Sequence, residues 1–152
     1  PNLIKKIEEI FPDACRFSNL IQHTYHPKGC LIIDIVGILP ELYKYTKIAY
    51  VGGGFGKGVH STTEALIYNN IVCYGPNIDL LDEAKEMHEK GCGFIINSGK
   101  EFCDIVNTQF SDVKDSQEGH SIKLEVEKNT EQYINEKGSS AEKIYEIINK
   151  YA

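Results

Sequence analysis

Residues 52–64 read GGGFGKGVHSTTE: five glycines in seven positions, then His60, Ser61 and Glu64. Glycine has no Cβ, so such a run lets the backbone approach a ligand closely and turn its amide N–H groups toward it. Spacing discriminates among the sites that use these residue types. A Walker phosphate loop requires G-x-x-x-x-G-K-[ST]; Lys57 follows Gly56, but Gly58 stands where the magnesium-binding hydroxyl belongs. The dinucleotide fingerprint G-x-G-x-x-G fails at every register from Gly52 to Gly58. His60 and Glu64 lie four residues apart and would share a helix face, yet two ligands do not make a metal site. Ser61 and Glu64 also match S-x-x-E, the capping box that closes a helix start. Two readings therefore stand side by side. The stretch is a turn with a capped helix, or it is a glycine-lined anion site backed by the free N–H groups of that helix.

The elements around the stretch give it a position. Leu3, Ile4, Ile7, Ile10 and Phe11 share one helical face, and the residues at 12–14 end that helix. A short strand follows at 15–17, and the apolar run CLIIDIV (30–36) has strand length. PELYKYT (40–46) opens with proline at a favourable helix start. Strands are predicted at 48–53, 71–77 and 93–97, and helices at 61–69 and 80–90. Strand and helix alternate with short connections and nearly continuous apolar strands. That pattern predicts an α/β fold, a Rossmann-like parallel sheet with helices on both faces. The glycines fall at the carboxyl end of a strand and just before a helix, the edge where open α/β sheets bind ligands, and an anion such as a phosphate is the natural guest. Beyond residue 99 a helical tail, about 100–152, is predicted. Its last helix starts at Ser139, with Glu142 at capping-box spacing and a stripe of Ile144, Ile147, Ile148 and Tyr151. The stretch 111–121 is polar and reads as a solvated loop or frayed helix end.

The bulk properties narrow the partners. A chain of 152 residues is enough for one domain, here taken as 1–152. The net charge is −6 and no Lys/Arg stripe occurs, which disfavours nucleic acid and anionic membrane as direct partners. Five cysteines, at 15, 30, 73, 92 and 103, include no C-x-x-C pair, and several sit in apolar runs; this fits reduced, buried thiols in a cytoplasmic protein. The first residue is proline and helix spacing begins at once, so the chain reads as cut from a longer polypeptide.

Three blocks occur in order. Asp34 and Gly37 form an Asp-x-x-Gly turn followed by Leu42 and Tyr43; Gly52 and Gly53 end a strand ahead of His60, Ser61 and Glu64; Gly75 and Pro76 end the next strand before an amphipathic helix. With the closing stretch EQYINEKGSSAEKIYEII, the set resembles the C-terminal domain of the bacterial 3-deoxy-D-manno-octulosonic acid (Kdo) transferases, glycosyltransferases of the GT-B fold. The resemblance covers most of the chain. It departs from the family at Ser61, where asparagine is common, and at Ala65, where proline is frequent.

The resemblance implies transfer of Kdo from CMP-Kdo to a lipid A precursor at the cytoplasmic face of the inner membrane, with this chain as part of the donor-binding half. The family's catalytic carboxylate and acceptor site belong to the N-terminal domain, so no catalytic residue is assigned here and the chain alone is expected to be inactive. By position, backbone N–H groups of Gly53 and Gly54 and of the helix start after Ser61 would face the CMP phosphate. Glu64 would accept hydrogen bonds from ribose or sugar hydroxyls. His60 would touch the phosphate or the Kdo carboxylate, or be a packed loop histidine. The turn at Gly37–Leu39 would lie under the cytosine, and Asn77 would line the cleft or serve only as a turn residue. The motifs imply no cofactor and no metal. Strands 30–34 and 48–52 are expected to pair through the helix at 40–46, or to leave an edge that another chain fills, which makes edge-to-edge dimerisation an expectation. A GT-B transferase using a UDP-sugar, and a non-catalytic nucleotide- or partner-binding α/β module, remain the alternatives.

Overall fold

The computed structural model describes residues 2–20, 29–110 and 124–138. The expected polar stretch at 111–121 and the closing helix from Ser139 both lie wholly outside the described residues. The sequence reading treats the chain as one domain. In the structure two compact units are distinguished, residues 1–41 and 42–152, and each is described by itself.

The first unit holds α1 (Asn2–Ile10), β1 (Cys15–Arg16), α2 (Phe17–Leu20), β2 (Leu31–Ile32) and the start of α3 (Leu39–Tyr43). β1 and β2 pair in parallel, with Cys15 opposite Leu31 and Arg16 opposite Ile32. Charged contacts tie this small unit together. Arg16 donates to both carboxylate oxygens of Glu8, at 2.7 and 2.9 Å. The backbone N–H and the hydroxyl of Ser18 both donate to the Asp34 carboxylate, at 2.9 and 2.6 Å. The aspartate of the Asp-x-x-Gly turn thus fastens the start of α2 to the segment after β2, and these bonds from Ser18 hold its carboxyl below the usual carboxylate range.

The second unit is built on β3 (Ile48–Val51), β4 (Ile71–Tyr74) and β5 (Gly93–Ile95), in the order β3-β4-β5. All pairings are parallel: Ile48 lies opposite Ile71 and Val51 opposite Tyr74, then Val72 opposite Gly93 and Tyr74 opposite Ile95. The helices are α4 (Thr63–Leu66), α5 (Asp82–Glu89), α6 (Gly99–Phe110) and α7 (124–138). The side-chain alternation of a strand explains how they cover the sheet. Ala49, Val51, Val72 and Tyr74 face one core, with Ala65 and Leu66 of α4, Ala84 and Met87 of α5, and Tyr133 of α7. Ile71 and Cys73 face the other, with Phe102 and Ile105 of α6 and Val126 of α7. β4 is buried at all four positions, which is why IVCY carries no charged residue.

The parallel α/β class and the helices on both faces agree with the sequence reading. The expected pairing of strand 30–34 with strand 48–52 does not occur: β2 and β3 belong to different sheets. The apolar run at 30–36 supplies only two strand residues. Asp34 is taken up by Ser18, and Gly37 turns the chain at φ +92°. Among the described residues, no helix is long and apolar enough to cross a membrane.

Candidate functional site

The glycine stretch leaves the carboxyl end of β3 and folds back on itself. The Gly53 carbonyl accepts hydrogen bonds from the N–H groups of Gly56 (2.9 Å) and Gly58 (3.2 Å), and the N–H of His60 donates to the Gly52 carbonyl (3.4 Å). Asn77, just past the end of β4, clamps the turn from outside. Its N–H donates to the Gly54 carbonyl at 2.9 Å, and its side-chain amide donates to the Gly56 carbonyl at 2.6 Å. The glycines have separate causes. Gly53 sits at φ +99°, and a Cβ there would lie 2.1 Å from the Gly58 carbonyl oxygen. At Gly54 a Cβ would lie 2.5–2.7 Å from the backbone of Gly75, and one at Gly75 would strike Gly54 in return. The turn after β3 and the end of β4 therefore cross backbone against backbone.

The outer side of this turn is an open concavity lined by Tyr50, Gly52, Gly53, Phe55, Gly56, Lys57, Gly58, Val59, His60 and Leu80. It contains a lysine and a histidine and no carboxylate. That contrasts with a chain carrying 22 acidic and 16 basic residues. A cation and an imidazole around an open hollow walled by glycine backbone suit an anion.

The helix behind the turn differs from expectation. It is one turn long, Thr63–Leu66, rather than 61–69. Its N-cap residue is Thr62, and no side chain caps it; the capping-box reading of Ser61 and Glu64 does not hold. The buried Thr62 hydroxyl instead donates to the Met87 sulfur of α5 at 3.2 Å, and both side chains are fully buried. The helix is stopped by Asn69, at φ +57°. The buried Asn70 amide then donates to the carbonyls of Tyr43 (2.9 Å) and Ala65 (3.0 Å) and accepts from the Thr46 hydroxyl at 2.6 Å. A single turn carries little macrodipole, so the helix adds less to an anion site than a full-length helix would.

Of the residues singled out in the sequence, the structure brings Gly53 and His60 together in the concavity. His60 is exposed, not a packed loop histidine. Gly54 is buried behind the turn against Gly75 rather than facing the hollow. Asn77 is the clamp. Ser61 and Glu64 are exposed just beyond the lining. Burial first, and then the Glu64 carboxylate, raise the Tyr43 phenol above its usual range. Gly37 is exposed in the first unit. Sequence reasoning passed over Lys57, Tyr50, Phe55 and Leu80. Lys57 was visible only as a failed Walker lysine, and Leu80 comes from a distant turn that no local spacing links to the glycines.

No family model matches the chain. Two curated proteins do. The chain is 29% identical over 138 residues to a bifunctional glycosyltransferase/methyltransferase of Fusobacterium nucleatum, covering 89% of this chain and 19% of that protein. It is 40% identical over 73 residues to the 3-deoxy-D-manno-octulosonic acid transferase of Aquifex aeolicus, covering 47% of this chain and 21% of that protein. The chain thus spans about a fifth of the length of these relatives. Among solved structures, the C-terminal CMP-Kdo binding domain of WaaA from Acinetobacter baumannii superposes with a TM-score of 0.64 at 16% identity, covering 84% of this chain and 66% of that one. Over those 73 residues the chain is homologous to part of a Kdo transferase, and it shares the fold of the WaaA C-terminal domain.

Proposed function

We propose that this chain, homologous to part of the Kdo transferases, is the donor-binding portion of an enzyme that moves Kdo from CMP-Kdo to a lipid A precursor in lipopolysaccharide synthesis. The parent enzyme would work at the cytoplasmic face of the inner membrane as a peripheral protein. The observation that carries the reading is the concavity at the carboxyl ends of the strands, walled by glycine backbone and free of carboxylates. CMP-Kdo has a phosphodiester and a sugar carboxylate on neighbouring atoms, and a hollow of that character suits paired anionic groups. In this reading the Gly53 N–H faces the phosphate, and His60 meets the phosphate or the Kdo carboxylate. Glu64 accepts hydrogen bonds from ribose or sugar hydroxyls next to Ser61. Gly54 and Asn77 act by holding the turn. The acceptor and the catalytic base come from the rest of the parent protein.

Calorimetric titration of the protein with CMP, UMP and UDP tests this reading. CMP binds more tightly than either uridine nucleotide. Glu64→Gln weakens CMP by about tenfold, the value of one charge-assisted hydrogen bond. Its melting temperature stays unchanged, because Glu64 is exposed and caps nothing. Tighter binding of UDP would move the assignment to a UDP-sugar enzyme, and no nucleotide binding at all would leave a partner-binding module.

A further inference from the structure

Lys57 sits between Gly56 and Gly58 at the apex of the clamped turn and lines the concavity. Its flanks are fixed: the N–H groups of Gly56 and Gly58 converge on the Gly53 carbonyl, and Asn77 holds the Gly56 carbonyl. Three other lysines of the second unit are committed. Lys85 pairs with Asp82, Lys90 with Glu136, and Lys137 with Glu86. The Lys57 ammonium has no hydrogen-bond or ion-pair partner among the described residues, and the concavity offers it no carboxylate. In a chain of net charge −6, an unpaired cation on a rigid turn in an acid-free hollow is a counter-charge awaiting an anion. The hollow's other ionisable side chains are the imidazole of His60, on the same turn, and the phenol of Tyr50.

Resting on the donor-site reading above, we infer that Lys57 is the counter-charge for the nucleotide phosphate and sets how strongly the site prefers a phosphorylated nucleoside to the bare nucleoside. The Gly53 N–H orients the phosphate, and the ammonium supplies the net charge that a dipole lacks. The contact is exposed, so it is screened by salt.

The test is titration of the protein with CMP and with cytidine, for wild type, Lys57→Ala, Lys57→Arg and His60→Ala. Wild type binds CMP more tightly than cytidine. Lys57→Ala weakens CMP by roughly tenfold and leaves cytidine unchanged, in line with a charged hydrogen bond. Lys57→Arg keeps the charge and stays within about threefold of wild type. Raising NaCl from about 0.05 to about 0.5 M weakens CMP binding in wild type and much less in Lys57→Ala. Unchanged melting temperatures establish that the variants are folded. If wild type binds CMP and Lys57→Ala binds it equally well, the inference about Lys57 is wrong while the donor-site reading stands. The same holds if the loss and the salt effect appear only in His60→Ala. If wild type binds neither CMP nor cytidine, the donor-site reading itself falls and takes the inference with it.

Discussion

At the scale of single residues, the glycines after β3 do different jobs that a sequence writes with the same letter. Gly52 is exposed, and a Cβ built on it meets nothing within 4 Å. Gly54 is buried, and a Cβ there lands on the backbone of Gly75. Backbone cannot swing aside as a flexible side chain can. Gly54→Ala therefore destabilises by about 1–3 kcal/mol or more, the range for overpacking. Gly52→Ala stays within about 0.5 kcal/mol of wild type, like other open surface positions. Urea unfolding of the two variants checks this, and equal stability would remove the backbone crossing as the reason for Gly54. Gly53→Ala should resemble Gly54→Ala, because strain at φ +99° adds to a 2.1 Å approach to Gly58.

At the scale of elements, α7 is fastened to α5 by a core anchor and a polar fringe. Tyr133 is 1% exposed inside the core beneath α5, and its hydroxyl donates to Glu86 at 3.3 Å. Around it Lys137 pairs with Glu86 and Lys90 with Glu136, while Gln132 donates to Glu136 at 3.0 Å. Tyr133→Ala costs about 3–5 kcal/mol by analogy with other buried aromatics. The fringe makes the docking sensitive to acid. The hydrogen bond from Lys137 holds the Glu86 carboxyl below its usual range, and that from Lys90 does the same for Glu136. A carboxyl whose folded pKa is depressed contributes stability that is complete above its unfolded value and is lost as pH falls through the folded one. The melting temperature is therefore flat with respect to these groups near neutrality and declines on acidification below about pH 4.5. In the double variant Glu86→Gln, Glu136→Gln that decline is shallower, and identical slopes for variant and wild type would mean the pairs contribute nothing to docking.

At the scale of the whole molecule, the chain answers to about a fifth of its curated relatives' length. In the proposed reading the acceptor site and the catalytic base lie outside it. Donor binding and transfer therefore separate: the chain binds CMP, yet incubation with CMP-Kdo and lipid A precursor releases no CMP above the spontaneous rate. A chromatographic assay for CMP checks this, and turnover by the purified chain would show that the catalytic groups are present here after all. The separation has a physical basis. Holding the anionic donor needs only a shaped, positively biased hollow, whereas transfer needs a second reactant held in line with a base.

What the sequence determined by itself is local. Apolar periodicity placed β3, β4, β5 and α5 within a few residues of where they lie, because strand and helix periods are set by neighbours in the chain. The clustering of glycines at the end of β3 put the candidate site at the ligand edge of a parallel sheet. The boundaries of α4 were not legible in the same way. Thr62 is drawn into the core by Met87, 25 residues on, so it cannot cap, and a helix read as 61–69 shrinks to Thr63–Leu66. Only the tertiary structure decided which glycine faces the hollow and which faces Gly75, and that Asn77 is a clamp on Gly56. It also decided that Lys57 has no partner among the described residues while Lys90 and Lys137 do. Each of those facts is a meeting of residues far apart in the chain, and short-range patterns carry no record of which distant groups the fold will bring together.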